Sequence, residues 1–200
     1  MRYAKGHKEE THKHIVKVAS QRFREEGIEK VGVASLMEHA GLTVGGFYSH
    51  FKSKEELIQE AVGIAADETF CRIFAEGDGS SPVSLEHILS RYLSPGHRDN
   101  PDKGCVFASL ASELKNRPED TRSMITRKTL SFIERIADCL PVEAGAEARM
   151  RVAAAVWAVM VGTLQLSRIV TDEALSTQLL KDGISNALRL ASEIETKRTG

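Results

Sequence analysis

Apolar residues recur at intervals of three and four along almost the whole 200-residue chain, and this spacing limits the fold more than any other feature. Ile15, Val18, Ala19 and Phe23, for example, share one face of a helix. Alternating runs of β-branched residues, which would indicate strands, are missing. The sequence therefore predicts an all-α protein of about nine helices.

Breaks between the helices are marked by Gly, Pro, Asn and Asp. Two longer loops are predicted at Gly77–Pro82 and Ser94–Lys103. Helix eight is expected to run from about Ala146 to Val170, and helix nine from an N-cap at Asp172 to about Thr196.

The composition, 42% apolar and 28% charged, is that of an ordinary globular domain. No apolar run approaches the ~18 residues that span a bilayer, and the charged N-terminus is unlike a signal peptide. A cytoplasmic protein without a membrane partner is therefore expected. Three widely spaced cysteines and no metal-ligand spacing predict no metal site, and no catalytic residue or cofactor is indicated.

The stretch Val33–Thr43 has the pattern of a helix-turn-helix. Leu36, Met37 and Ala40 give its first helix a buried side, and Gly41 permits the positive φ that a tight turn needs. Leu42 is expected to fill the gap between the two helices, and Thr43 to cap the second helix through its hydroxyl. Such a second helix enters the major groove of DNA.

Gly45 and Gly46 follow inside that second helix, where each glycine costs about 1 kcal/mol relative to alanine. Two explanations are open. The missing side chains would let the helix approach a sugar-phosphate strand closely, or they would let it pack tightly on helix one. Phe47 and Phe51, four residues apart, are expected to pack inward.

The net charge of −1 hides a basic N-terminus, since residues 1–24 hold seven basic residues, Lys8 among them, against two acidic ones. DNA phosphates would attract this segment. A solvated, frayed terminus is the alternative.

The string A-G-L-T-x-G-G-F-Y-x-H-F-x-S-K-E-E-L, within residues 40–57, resembles the signature of TetR/AcrR transcriptional regulators. The resemblance implies that residues 1–52 form a helix-turn-helix DNA-binding domain and residues 53–200 a helical ligand-binding and dimerisation domain. The DNA face would then comprise Thr43, Val44, Gly45, Gly46, Tyr48, Ser49, His50 and Lys54, together with Lys8 of the basic arm. Gly32 and Ala34 depart from the Ser or Thr and the Arg that the family often has there, so the operator sequence does not follow.

By the same resemblance, an inducer cavity is expected among the later helices. The candidate lining residues are Phe70, Phe74, Tyr92, Cys105, Phe107, Met124, Trp157, Met160 and Gln165. For most of them a plain core position is the alternative. Cys105 follows Gly104 at a predicted helix N-terminus, where the dipole stabilises a thiolate, so it is either a sensor for electrophiles or a small buried residue.

Helices eight and nine carry apolar stripes with small residues, which suit a homodimer interface as well as packing within one subunit. The leading hypothesis is a ligand-responsive repressor released from operator DNA by a small-molecule inducer or an electrophile. An enzyme acting through Cys105 is less favoured because the sequence shows no base paired with that thiol. A DNA-binding protein without an inducer would leave most of the C-terminal part without a role.

Overall fold

The computed structural model describes residues 5–75 and 83–196, in which it contains ten α-helices and no strand. They are α1 (Lys5–Glu26), α2 (Val33–His39), α3 (Val44–Phe47), α4 (Lys54–Phe74), α5 (Leu85–Tyr92), α6 (Pro95–Arg98), α7 (Val106–Leu114), α8 (Glu119–Ala137), α9 (Ala146–Ile169) and α10 (Glu173–Thr196). The all-α prediction is confirmed. The predicted loop Gly77–Pro82 lies outside the described residues.

The segment predicted as a loop at residues 94–103 is partly helical, which corrects that prediction. Pro95 supplies the fixed φ that suits a first helical position, and the Ser94 hydroxyl accepts a hydrogen bond from the His97 amide at 3.2 Å. The His97 ring is buried, with Nδ1 2.7 Å from the Tyr92 carbonyl oxygen. A buried side chain therefore orders a stretch whose composition alone resembles a loop.

The chain divides into two compact units. Unit 1 comprises residues 1–68 and 101–125, and unit 2 comprises residues 69–100 and 126–200. Unit 1 therefore contains α1, α2 and α3, together with α4 as far as Glu68, all of α7, and α8 as far as Ile125. The functional division at residue 52 stays a prediction, because it concerns where DNA and ligand bind rather than how the helices pack.

In unit 1, α1 packs against α2, α7 and the 3₁₀ turn Pro101–Lys103. Its predicted inward residues Ile15, Ala19 and Phe23 are fully buried. Gly27 ends α1 with a φ of +92°, and Gly41 turns the chain after α2 with a φ of +70°. Both glycines occupy the backbone region that side chains disfavour, as a helix C-cap and a tight turn require.

In unit 2, α9 and α10 pack along one another. Gly183 makes the close approach, since a Cβ atom there would lie 2.6 Å from Cγ2 of Thr163. The Asp172 carboxylate accepts a hydrogen bond from the Leu175 amide at 2.8 Å, which confirms the predicted N-cap of α10.

By length and composition alone α9 could cross a membrane, with 24 residues and a mean hydropathy of 1.5 over its most apolar window. The count of consecutive apolar residues in the sequence did not detect this property. The side chains of Val156, Met160 and Leu164 on α9 are fully buried inside the chain, and 33% of the apolar window is buried.

Candidate nucleic-acid interface

The turn between α2 and α3 is tight and is closed by two backbone hydrogen bonds. The amides of Gly41 and Leu42 donate to the carbonyls of Glu38 and Met37 at 2.9 and 2.8 Å. With Gly41 in the left-handed region, the chain reverses direction within four residues and α3 begins at Val44. This is the predicted helix-turn-helix geometry.

Thr43 does not cap α3 through its side chain, which corrects the prediction. The amide that a cap hydroxyl would accept from is that of Gly46, and this amide donates to the Thr43 carbonyl at 3.0 Å. The hydroxyl of the exposed Thr43 is therefore available to an outside partner.

Phe47 and Phe51 anchor the short α3 as predicted. Both side chains are buried, and their ring centroids lie 5.4 Å apart. Since α3 has only four residues, it cannot hold its own conformation, and these two rings supply the tertiary packing that fixes it.

The outer face of α3 and of the turn after it is unusually open. Tyr48 is 71% exposed and Val44 47% exposed, while Thr43, Gly45 and Ser49 are also exposed. The Ser49 hydroxyl donates to the Gly46 carbonyl at 2.6 Å, which keeps its oxygen as an acceptor. The structure thus brings five of the predicted DNA-face residues onto one solvent-facing surface, called here the reading face (Thr43, Val44, Gly45, Tyr48 and Ser49).

Packing does not explain the glycine pair. A Cβ atom at Gly45 would meet nothing within 4 Å, and one at Gly46 would make only ordinary contacts at 3.7 Å with Met37 and Thr43. Neither glycine has a positive φ. Tight packing on helix one is therefore excluded, and close approach of an outside molecule is the explanation that remains from the sequence analysis.

Lys54 has a different local role from the predicted one. Its ammonium group donates to the Ile28 carbonyl at 2.8 Å, so it ties the first turn of α4 to the loop between α1 and α2. The start of α4 is capped by Ser53, whose hydroxyl accepts from the Glu56 amide at 3.2 Å, while the Glu56 carboxylate accepts from the Lys52 amide. The end of the reading face is thereby held rigidly.

Beside the reading face, Lys8, Glu9, His12 and His50 line an open surface groove of about 260 Å³. His12 stacks on Phe51 with ring centroids 4.5 Å apart, and its Nε2 lies 2.7 Å from the Glu60 carboxylate. The Nδ1 atom of His50 is buried without a hydrogen-bond partner in the described part of the chain. Lys8 of the basic arm therefore lies close to His50, which directly follows the reading face.

Acidification should destabilise the protein through His50. Burial, and then the nearby charges of His12 and Lys8, lower the pKa of His50 from its ordinary value of 6.5. The unfolded chain therefore binds a proton before the folded chain does, and stability falls as the pH drops below about 6.5. Thermal melts at pH 7.5 and 5.5 check this: the loss should be smaller in His50→Gln, and an equal loss in both proteins would refute it.

The candidate ligand-pocket residues divide between the two units. In unit 2, Phe70, Phe74 and Trp157 gather around Phe132, with ring centroids 4.5 to 5.8 Å from it, and Tyr92 lies 5.6 Å from Trp157. Met160 is fully buried and Gln165 half-buried in the same unit. In unit 1, Cys105 and Phe107 are buried and Met124 is half-buried. Whether any of them binds a ligand stays a prediction.

Several side-chain contacts within these units could not be predicted from the sequence. His97 packs edge-on against Tyr92 at 4.7 Å, and the His12–Glu60 pair joins residues 48 positions apart. Neither pairing follows from helical spacing. No group of three His, Cys, Asp or Glu side chains that could hold a metal ion occurs in residues 5–75 and 83–196.

Residues 15–61 match the family described as bacterial regulatory proteins, tetR family. The chain is 25% identical over 118 residues to the transcriptional regulator AcuR of Cereibacter sphaeroides, which is 57% of this chain but only 53% of AcuR. It is 22% identical over 134 residues to the transcriptional repressor NemR of Escherichia coli, 66% of this chain and 67% of NemR.

Solved structures agree in fold. The reduced form of E. coli NemR superposes with a TM-score of 0.69 at 19% identity, over 89% of this chain and 95% of that one. A TetR transcriptional regulator from Legionella pneumophila gives a TM-score of 0.74 at 16% identity, over 96% of this chain and 100% of that one.

Proposed function

We propose that this chain, whose residues 15–61 match the tetR family of bacterial regulatory proteins, is a DNA-binding transcriptional regulator of that family. It acts as a repressor that a small-molecule inducer or an electrophile releases from its operator. Its place of action is the cytoplasm, where the operator is found. The relatives AcuR and NemR, themselves named as a regulator and a repressor, support this proposal.

The observation that carries DNA binding is the reading face. An exposed tyrosine, threonine and serine surround a glycine that the packing does not require. Hydroxyl groups and backbone amides are the groups that contact DNA phosphates, and a helix without side chains on one side can come close to a strand. The neighbouring Lys8 adds positive charge at the same end of the unit.

Selection from a library of random duplexes tests the DNA-binding proposal. The full-length protein should enrich a two-fold symmetric sequence whose half-sites lie about 34 Å apart along the helix axis, or a multiple of that distance. Failure to enrich any sequence at low salt would reject it.

We infer that the protein acts as a homodimer through α9 and α10. The stripes predicted from the sequence are partly buried within one chain, since Ala153, Leu164 and Ala187 are fully buried whereas Leu175 is 52% exposed. A different face of α9 stays open, formed at helical spacing by Ala155, Val159, Gly162, Leu166 and Ile169. Leu166 is 55% and Ile169 73% exposed, and such a contiguous apolar surface suits a partner subunit.

Substitution Leu166→Glu should convert the dimer to monomers, because it places a charge in the centre of an apolar interface. Sedimentation velocity at micromolar concentration measures the change. Leu130→Glu is the matched control, since Leu130 is 45% exposed but lies on α8. A dimer that survives Leu166→Glu would place the interface elsewhere.

Release by a ligand is proposed to be a population shift, in which the ligand favours a dimer whose reading faces no longer match neighbouring grooves. The aromatic cluster around Phe132 in unit 2 is the first candidate for the apolar side of a ligand site. A ligand should raise the melting temperature and lower DNA affinity together. A compound that does neither is not an inducer.

Release by an electrophile would act through Cys105. This residue is the N-cap of α7, as predicted, but its side chain is fully buried. Burial favours the alternative of a packed, inert thiol, and a reagent would need α7 to open locally. Mass-spectrometric mapping after limiting alkylation decides between them: preferential labelling of Cys105 over the exposed Cys71 supports a sensor, and labelling of Cys71 alone rejects it.

A further inference from the structure

The corner between α7 and α8, residues 113–121, lies against both ends of the helix-turn-helix. All of these contacts are within unit 1. On one side is the loop between α1 and α2, residues 27–32, which leads into the first helix of the motif. On the other side is the first turn of α4, which begins at Lys54, after the reading face has ended at Ser49.

Glu113 holds the loop through its carboxylate. One oxygen accepts a hydrogen bond from the Glu29 amide at 2.9 Å. The other occupies the space above Gly27, where a Cβ atom would lie 2.8 Å from it. Gly27 therefore ends α1, and the absence of a side chain at this position leaves room for the Glu113 carboxylate.

Arg117 and Thr121 connect the loop to α4. The guanidinium of Arg117 forms an ion pair with Glu29 of the loop and lies 3.5 Å from a carboxylate oxygen of Glu55 in α4. The other Glu55 oxygen accepts from the hydroxyl of the buried Thr121 at 2.8 Å. Both oxygens of Glu55 are thus engaged by the corner.

From these contacts we propose that Glu113, Arg117 and Thr121 are positioning residues for DNA recognition. They fix the loop and the start of α4 relative to each other, and so fix the angle at which the reading face is presented. The inference rests on the proposed function, because it concerns the same DNA site. None of the three residues belongs to the reading face.

The same arrangement gives α7 a mechanical role. Its nine residues form a rod about 13 Å long between Cys105 and the corner. Because Glu113 lies in its last turn, any displacement of α7 along or about its axis withdraws the carboxylate from the loop. The corner would then lose one of its two contacts with the loop, while the Arg117–Glu29 ion pair would remain.

Measurement of DNA binding by the full-length Glu113→Ala and Thr121→Val variants tests the proposal. Affinity for the selected duplex should fall about tenfold, within the range of ordinary coupling between sites. Affinity for random DNA should not fall, because the reading face and its charges are unchanged. Removal of a negative charge would by itself strengthen binding to all DNA. A lower affinity of Glu113→Ala for the selected duplex is therefore the opposite of what the change in charge alone predicts.

Glu147→Ala is the matched control, since it removes the same charge from an exposed ion pair with Arg151 in α9. Its preference for the selected duplex should equal that of the wild type. If Glu113→Ala does not fold, as judged by circular dichroism, Thr121→Val decides, because it removes one hydrogen bond and keeps the shape of the side chain.

The same measurements distinguish failure of the proposed function from failure of the positioning role. A wild-type protein that prefers no duplex overturns the proposed function and the positioning role with it. A wild-type protein that discriminates, beside folded variants that discriminate equally well, overturns the positioning role alone.

Discussion

Substitution Gly45→Glu should reduce specific DNA affinity by at least about 100-fold while leaving the protein as stable as before or slightly more so. The new side chain has room, because nothing lies within 4 Å of a Cβ atom at this position. A carboxylate in the first turn of α3 also interacts favourably with the helix N-terminus, by about 0.3–1 kcal/mol. The same carboxylate would meet DNA phosphates at the point of closest approach. Fluorescence anisotropy and thermal melts measure the two effects.

Gly96→Glu provides a closely matched control. Gly96 is also the second residue of a four-residue helix, is exposed, and has nothing within 4 Å of a Cβ atom. It belongs to unit 2 and lies outside the reading face. This variant should bind DNA nearly as the wild type does. Similar losses in both variants would mean that net charge, and not the reading face, sets the affinity.

Substitution Phe47→Ala should destabilise the protein by about 3–5 kcal/mol, the usual cost of truncating a buried phenylalanine. For a chain of this length each kcal/mol corresponds to about 2–4 °C, so the melting temperature should fall by roughly 6–20 °C. DNA binding should be lost as well, because Phe47 is the fully buried residue of α3 and packs directly on Phe51. Differential scanning calorimetry follows the change.

Tyr48→Ala separates packing from recognition at the next position. Because Tyr48 is exposed, its truncation should change stability by less than about 0.5 kcal/mol. It should nevertheless weaken DNA binding. A large loss of stability in Tyr48→Ala, or none in Phe47→Ala, would contradict the assignment of Phe47 to the core and of Tyr48 to the exposed surface.

Periodicity was sufficient to predict the described helices other than α6, and the buried side of α3. Phe47 and Phe51 lie four residues apart, and Gly41 follows a helix whose apolar side is already defined, so local rules determine their roles. The exposed face of α3 followed from the same geometry, since residues opposite the buried ones must face outward.

The predictions that were wrong depended on competition between partners. Thr43 is of the right residue type for a cap, but the backbone carbonyl of Thr43 already holds the Gly46 amide. Composition marked residues 94–103 as a loop, whereas the buried His97 orders part of it as a helix. The Lys54 ammonium contacts Ile28, 26 residues earlier, which periodicity did not predict, and the place of Lys54 on the DNA face stays a prediction. Such pairings arise from tertiary packing and have no periodic signature in the chain.

The contacts of the corner between α7 and α8 were still harder to predict from the sequence. Glu113 and Glu29 are 84 residues apart, and Arg117 and Glu29 are 88 apart. Each residue alone resembles any solvated charge on a helix surface. The packing of α7 on α1 brings them together, so this network could not be predicted from the sequence.

The most direct test of DNA recognition is the affinity of the full-length protein for its selected duplex and for a scrambled duplex over a series of salt concentrations. We predict a preference of at least about 1,000-fold for the selected duplex and a steep loss of affinity for both duplexes as salt rises. Equal affinities for the two duplexes at every salt concentration would contradict a sequence-reading role for the reading face.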